Sequence, residues 1–398
     1  MGDALNQELI DRELDNFIFD NSEKILSEMT DDESRFLLLL LRTASPKKIL
    51  EIGVAAGGTT KLILEKMGDD SRLYSVDTSK NYYKNTDKKT GYVASDNVSA
   101  DRQQKWKKFF GVDIVDCMET IGSGVDFLIL DTAHVLPGEM LSFLAVVPFL
   151  KDNCVVVLHD ISYSYWTCRD RNYLLSCDDD EYKYNIHAYC TNLLFNGVST
   201  KTRLTLRMGI PNIGGFIFDE FTKENIISVF SLLLIHWHYF PDKSTLEKYS
   251  HYINNYYDIR CQEYFGACLS MQRAIHECNN KLFEGRKWTN LAEHRDELDS
   301  YSKIVFFGAG SRFTSVAKDI KKYVASGSIV ALLDNDPLKN GLEIASFTVK
   351  SPDKLVTIKP DLVVITSTHY QKILQQLEIL KLTFRLSFEI RYLDAIQN

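Results

Sequence analysis

Among its eight cysteines (Cys117, Cys154, Cys168, Cys177, Cys190, Cys261, Cys268 and Cys278) the chain has no Cys-x-x-Cys pair and no zinc spacing, which removes zinc ribbons and dithiol redox motifs and leaves reduced thiols as the expectation. No apolar run approaches the roughly 20 residues of a membrane span; the strongest run near the start, residues 36–41, has six. The opening MGDALNQELIDRELDNF is acidic and lacks the basic flank and apolar stretch of a signal peptide. The expectation is a cytoplasmic protein with no integral membrane segment. A basic excess is missing too. The net charge of −8 excludes a chain whose main business is neutralising nucleic-acid phosphates. There is no internal repeat and no low-complexity tract. What remains, 45% hydrophobic and 25% charged over 398 residues, is a globular composition with ample core and room for two domains.

Short apolar runs alternate with helical stretches. Residues 7–43 carry helix-like periodicity, with an N-cap at Thr30 or Asp31 before DDESRFLLLLLR and a stop at Ser45-Pro46. The runs KKILEIG (47–53), RLYSVD (72–77), VDIVD (112–116), VDFLILD (125–131) and CVVVLHD (154–160) predict strands separated by helices. That is the pattern of βαβ units in a doubly wound, Rossmann-like α/β sheet, whose ligands gather outside the carboxyl ends of the strands. Periodicity weakens over 162–215, where CDDDEYKYN reads as a solvated loop or lid. A helix is expected over 225–238, ended by Pro241. From Lys303 a second α/β pattern runs through KIVFFGAGSRF, SIVALLDND and DLVVITS. The expected organisation is a first domain with N-terminal helices over 1–242, a helical connector over 243–300 that could mediate homo-oligomer formation, and a small Rossmann-like domain over 301–398.

In KKILEIGVAAGGTT a strand runs into E-x-G-x-x-x-G-G and then a helix. Gly53 permits the tight turn, and Gly57 and Gly58 let the chain pass beneath a ligand at a helix N-terminus. No Gly-Lys-Ser/Thr follows, so this is not a Walker loop. Val54-Ala55 stands where a dinucleotide binder has its second glycine, so a pyrophosphate is not the ligand sought. Asp77 ends the next run, where a carboxylate can accept from vicinal hydroxyls. The alternative is a strand-to-helix turn with no ligand. Two later strand ends carry Asp131 and His134 (LILDTAH) and His159-Asp160 (CVVVLHD). Singly, these suit a turn cap, a surface histidine or a hydrogen-bonded pair. Together at neighbouring strand ends they suit deprotonation of a hydroxyl.

The first turn resembles that of class I S-adenosylmethionine-dependent methyltransferases. The resemblance implies that Glu51, Gly53, Ala55, Gly57 and Asp77 bind S-adenosyl-L-methionine, with Asp77 at the ribose. Asp116 or Cys117 would approach the adenine, or serve the core or a turn. The two later strand ends resemble metal-dependent O-methyltransferases, more closely the macrolide-sugar O-methyltransferases and cephalosporin hydroxylase-like proteins. There Asp-x-x-His supplies a metal ligand and a base, here Asp131 and His134, and a Glu-Asp pair completes the metal site, here His159-Asp160. Histidine in place of a carboxylate lowers the ligand charge and weakens a magnesium site relative to that pattern. The implied enzyme transfers a methyl group to a hydroxyl of a sugar or nucleotide-linked sugar in surface-glycan biosynthesis. Its cation would be Mg2+ or another divalent ion bound by Asp131, His159 and Asp160.

VFFGAGSRF, with Asp334 in DNDP and Ser351-Pro352-Asp353 beyond, resembles the Rossmann-like modules appended to bacterial sugar methyltransferases and found in sugar acyltransferases. An accessory or docking role is implied there. An NAD-dependent sugar oxidoreductase centred on Gly308 and Asp334 lacks a Tyr-x-x-x-Lys pair in a suitable place, and a non-catalytic scaffold would not need Asp77 or Asp131-x-x-His134. Weaker candidates are His187 and Tyr189, the HWHYF cluster (236–240) as core or interface, and the acidic CDDDE (177–181) as a solvated loop.

Overall fold

A computed structural model of the chain describes residues 5–18, 27, 29–132, 134, 136–162, 189–207, 211–235, 237, 239–283, 285–325, 327–367 and 370–393. The chain divides into two compact units, Met1–Ala274 and Ile275–Asn398.

The first unit opens with helices α1 (Gln7–Leu14) and α2 (Asp31–Ala44). Thr30 starts α2 with a capping box: its side chain accepts from the Glu33 amide, and the Glu33 carboxylate accepts from the Thr30 amide at 2.6 Å. Ser45, in the left-handed region at φ 46°, ends it. The sheet strands are β1 (Lys48–Ile52), β2 (Arg72–Asp77), β3 (Trp106–Phe110), β4 (Val125–Leu130), β5 (Leu150–His159), β6 (Arg203–Thr205) and β7 (Ile213–Phe218). Their order is β3-β2-β1-β4-β5-β7-β6. The first five run parallel, and β7 lies antiparallel to both β5 and β6. Helices α3 (Gly58–Lys66), α4 (Ile114–Ile121) and α5 (Gly138–Val146) are among the connections. Alternate residues of the central strands enter two cores, Leu50, Leu128 and Val156 on one face and Ile49, Phe127 and Val155 on the other. Burial on both faces explains why these runs read as continuously apolar. The doubly wound α/β expectation holds.

Register then decides what converges. Ile52 pairs with both Val76 and Leu130, and Leu130 pairs with Leu158. Gly53, Asp77, Asp131 and His159 therefore leave the carboxyl edge at one level.

Three local expectations are corrected. VDIVD is not a strand: β3 is WKKFF at 106–110, and Asp113 caps α4 by accepting from the Val115 amide. Short, half-exposed β3 at the sheet edge carries too little apolar signal to stand out. Within 162–215 lie helix α6 (Tyr189–Gly197), β6 and the start of β7; Gly214 and Gly215 sit inside β7, where the Val156 carbonyl approaches too closely for a side chain at Gly215. The helix expected over 225–238 spans only Ile227–Leu232. CDDDE and His187 lie outside the described residues, as do His236 and His238 and the Tyr189 side chain.

Helix α7 (Lys243–Tyr256) packs against this unit, and helix α8 (Ile259–Phe283) contains the boundary between the units. The second unit has its own sheet: β8 (Lys287–Trp288), β9 (Ile304–Phe307), β10 (Ile329–Leu333), β11 (Glu343–Ile344), β12 (Phe347–Lys350), β13 (Leu362–Ile365) and β14 (Glu389–Leu393), in the order β8-β14-β13-β9-β10-β12-β11. All of its pairings are parallel except that of β11 with β12. Among the described residues no helix is long and apolar enough to cross a membrane.

Candidate active site

Beyond β1 the chain turns at Gly53, whose φ of 90° favours glycine. A Cβ there would lie 1.7 Å from the Asp131 carbonyl oxygen, so only glycine lets β4 come alongside. Asp77 holds the turn from β2: its Oδ2 accepts from the amides of Val54 (2.9 Å) and Ala55 (3.2 Å), and its Oδ1 from Ser79 (2.8 Å). Gly57 caps α3. Glu51 lies beneath the turn. Its buried carboxylate accepts from Thr60 at 2.9 Å and from Ser75 at 2.6 Å, and Trp106 donates to Ser75. Burial, reinforced by the charges of Asp131 and Asp77, outweighs these bonds and pushes the Glu51 carboxyl up to about 7.

At the ends of β4 and β5 two imidazoles meet four carboxylates. His134 Nε2 lies 3.1 Å from Asp160 Oδ2 and 3.6 Å from Asp131 Oδ1; its Nδ1 lies 2.9 Å from Glu139 Oε2 and 2.7 Å from Thr191 Oγ1. His159 Nδ1 lies 3.2 Å from Asp131 Oδ1 and 3.6 Å from Asp160 Oδ1. Its Nε2 is 3.6 Å from Glu33 Oε2, an ion pair longer than a hydrogen bond. Asn212 donates to Asp160 Oδ1 at 2.7 Å.

Burial opposes charge on both imidazoles. The bonds of His134 to Asp131, Asp160 and Glu139, and the charges of Asp160 and Asp131 beside His159, nevertheless raise both well above the ordinary histidine value. The same contacts hold Asp131 and Asp160 below the usual carboxylate range against burial, and His159 does so for Glu33.

Asp131, His134 and Asp160 each offer one ligand atom, all within 4.8 Å of one another. Hard carboxylate oxygens from Asp131 and Asp160 beside a histidine nitrogen are a donor set that fits a divalent cation.

One cavity of about 620 Å³ joins the glycine turn to this cluster. It is lined by Glu51, Gly53, Ala55, Gly57, Gly58, Asp77, Asp131, His134, His159 and Asp160, all singled out in the sequence. Asp116 is outside the lining and pairs with Lys248 at 2.8 Å. Asp113, three residues earlier, lines the cavity and accepts from the buried Tyr249 hydroxyl at 2.6 Å. Cys117 is buried, its thiol pushed up to about 12 by burial. Sequence reasoning missed Asp113, Tyr249, Glu33, Glu139, Thr191 and Asn212. Only Glu33 left a signal, as the fourth residue of the Thr-x-x-Glu capping pattern.

Residues 50–161 match the family model described as a methyltransferase domain, and residues 300–384 match one described as C2185-like, N-terminal. No curated protein matches the chain. Among solved structures the chain is similar to the O-methyltransferase from Bacillus cereus in complex with SAH (14% identity, covering 53% of this chain and 90% of that one, TM-score 0.35). It is also similar to the SAH-bound methyltransferase PaMTH1 of Podospora anserina (14% identity, 53% and 88%, TM-score 0.36). A third is the O-methyltransferase TomG of Streptomyces achromogenes in complex with SAM (14% identity, 52% and 86%, TM-score 0.34). Residues 50–161 are a methyltransferase domain, and the chain is an enzyme of that class.

Proposed function

We propose that the protein is a cytoplasmic S-adenosylmethionine-dependent O-methyltransferase that acts on a hydroxyl of a sugar or nucleotide-linked sugar in surface-glycan biosynthesis. The observation that carries the methyl-transfer reading is the single cavity running from the glycine turn and Asp77 to Asp131, His134 and Asp160. The sugar assignment is supported by the Asp131-x-x-His134 pattern and the second, Rossmann-like unit.

S-adenosylmethionine supplies an electrophilic methyl group, so the protein's task is to orient a hydroxyl and take its proton. The turn from Gly53 to Gly57 and the Asp77 carboxylate would hold the cofactor. Asp131 and Asp160, with His159 behind them, would hold a divalent cation, which when bound lowers the pKa of an acceptor hydroxyl. His134 receives the proton at Nε2, the nitrogen that faces the two aspartates. A cation held there would offset the aspartate charge that favours a proton on His134. His159 tethers Asp131, and Asn212 tethers Asp160.

The test is calorimetric titration of S-adenosylhomocysteine, with and without Mg2+ or Mn2+, followed by methyl transfer from labelled S-adenosylmethionine to a panel of free and nucleotide-linked sugars. Micromolar binding, about −8 kcal/mol, with label in a sugar is expected. No binding heat would overturn the methyl-transfer reading; binding with transfer only to non-sugar hydroxyls would overturn the sugar assignment.

A further inference from the structure

We infer that Glu139 is the positioning residue of His134, fixing the imidazole so that Nε2 rather than Nδ1 meets the acceptor. The inference rests on the reading above, in which His134 takes the acceptor's proton.

His134 lies in the loop between β4 and α5, in the left-handed region at φ 53°. His134 itself sits on no strand or helix, so its ring is fixed by its neighbours. Glu139, in the first turn of α5 and only 1% exposed, places Oε2 2.9 Å from Nδ1. Thr132 donates to that same oxygen at 2.9 Å, and Thr191 approaches Nδ1 from α6. Among the described residues the other oxygen, Oε1, is buried with no hydrogen-bond partner.

That bare oxygen argues against a purely structural role. An acid in the first turn of a helix favours the helix dipole, but it does so at the surface as well. Burying a carboxylate with one oxygen unmet is costly, and an apolar residue of similar size would be the more stable choice. The partner that offsets the burial is the proton on His134 Nδ1. With that proton directed at Glu139, the ring cannot turn over without abandoning a buried charge. Nε2 is left toward the cavity and the two aspartates. The logic is that of a buried acid and its histidine in hydrolases, where the acid sets tautomer and orientation without itself reacting.

The test compares wild type, Glu139→Gln, Glu139→Asp and Thr132→Val. The ring N–H signals of 15N-histidine-labelled protein, with His134→Asn to assign them, should show a hydrogen-bonded Nδ1–H on His134 that is lost in Glu139→Gln and retained in Glu139→Asp. In the methyl-transfer assay, Glu139→Gln should lower kcat by about 100-fold or more, with S-adenosylhomocysteine affinity and acceptor KM unchanged; Glu139→Asp should recover part of the loss. If Glu139→Gln does not fold, Thr132→Val gives the answer through a smaller kcat loss and a shifted Nδ1–H signal. An Nδ1–H signal indifferent to both substitutions, or a kcat that falls only together with cofactor affinity, overturns the inference. The resonance judges the contact without any turnover. Wild type that shows the signal but transfers no methyl group therefore points to failure of the reaction reading, not of the contact, and ends Glu139's part in it.

Discussion

Gly53 and Gly308 occupy the same place in their two sheets. Each follows an interior parallel strand, each has positive φ (90° and 114°), and each donates its amide to the end of the neighbouring strand, at Val76 (2.9 Å) and Leu333 (2.8 Å). The acid at the end of that strand accepts from the turn in both cases: Asp77 from Val54 and Ala55, Asp334 from Ala309 at 2.6 Å. The difference lies one strand away. Opposite Ile52 the chain continues into Asp131, whose carboxylate faces two histidines; opposite Phe307 it continues into Thr366, whose hydroxyl turns back to the carbonyls of Phe307 and Gly308. A glycine turn latched by an aspartate is thus common to both units. In the first, ionisable groups at the two strand ends beyond it add a candidate for chemistry.

The sharpest way to break the comparison is to burden both turns with a methyl group. Gly53→Ala sets Cβ against the backbone carbonyl of Asp131, 1.7 Å away, whereas at Gly308 the nearest atom is the Ser367 side chain at 2.9 Å. We expect a loss on the order of 4 kcal/mol for Gly53→Ala and about 2 kcal/mol for Gly308→Ala, read from denaturant melts of the full chain. Equal losses would mean that the turns are under the same constraint.

Next in size is a pH effect confined to the first unit. The Glu51 carboxyl is raised from 4.5 to about 7 by burial, so the folded state holds its proton more tightly than the unfolded chain. That stabilisation is fully present below pH 4.5 and is lost as pH rises through about 7. At 1.36 kcal/mol per pH unit it amounts to about 3 kcal/mol. Glu51→Gln should flatten this part of the stability-against-pH curve; an unchanged slope would assign it to another group. The smallest effect belongs to Lys339, which lies 3.6 Å from Asp334 and 3.9 Å from Asp336. Lys339→Ala should cost less than about 1 kcal/mol, because the Ala309 amide still holds Asp334. A loss equal to that of Gly308→Ala would make the lysine part of the latch.

The strands buried on both faces were legible from sequence, because parallel sheets write themselves as continuous apolar runs. So were the residues one step beyond them, since register alone brings Gly53, Asp77, Asp131 and His159 level. Edge strand β3 was not: WKKFF is half-exposed, and its neighbour VDIVD took its place. That slip carried Asp116 into the candidate set where Asp113 lines the cavity. Glu139, Thr191 and Asn212 reach the cluster from α5, α6 and the chain ahead of β7. Their approach depends on packing between elements, which no spacing in the sequence encodes.

The Glu33 carboxylate closes the capping box of α2 and also faces His159 at 3.6 Å. Helix initiation and active-site charge are therefore one covalent part, and dissection of the enzyme inherits the linkage. A fragment cut to the matched span of 50–161 would leave His159 beside two aspartates without the counterion behind it, and would discard Thr191, Asn212 and Tyr249 as well. The shortest fragment worth expressing begins ahead of Thr30 and runs past Tyr249.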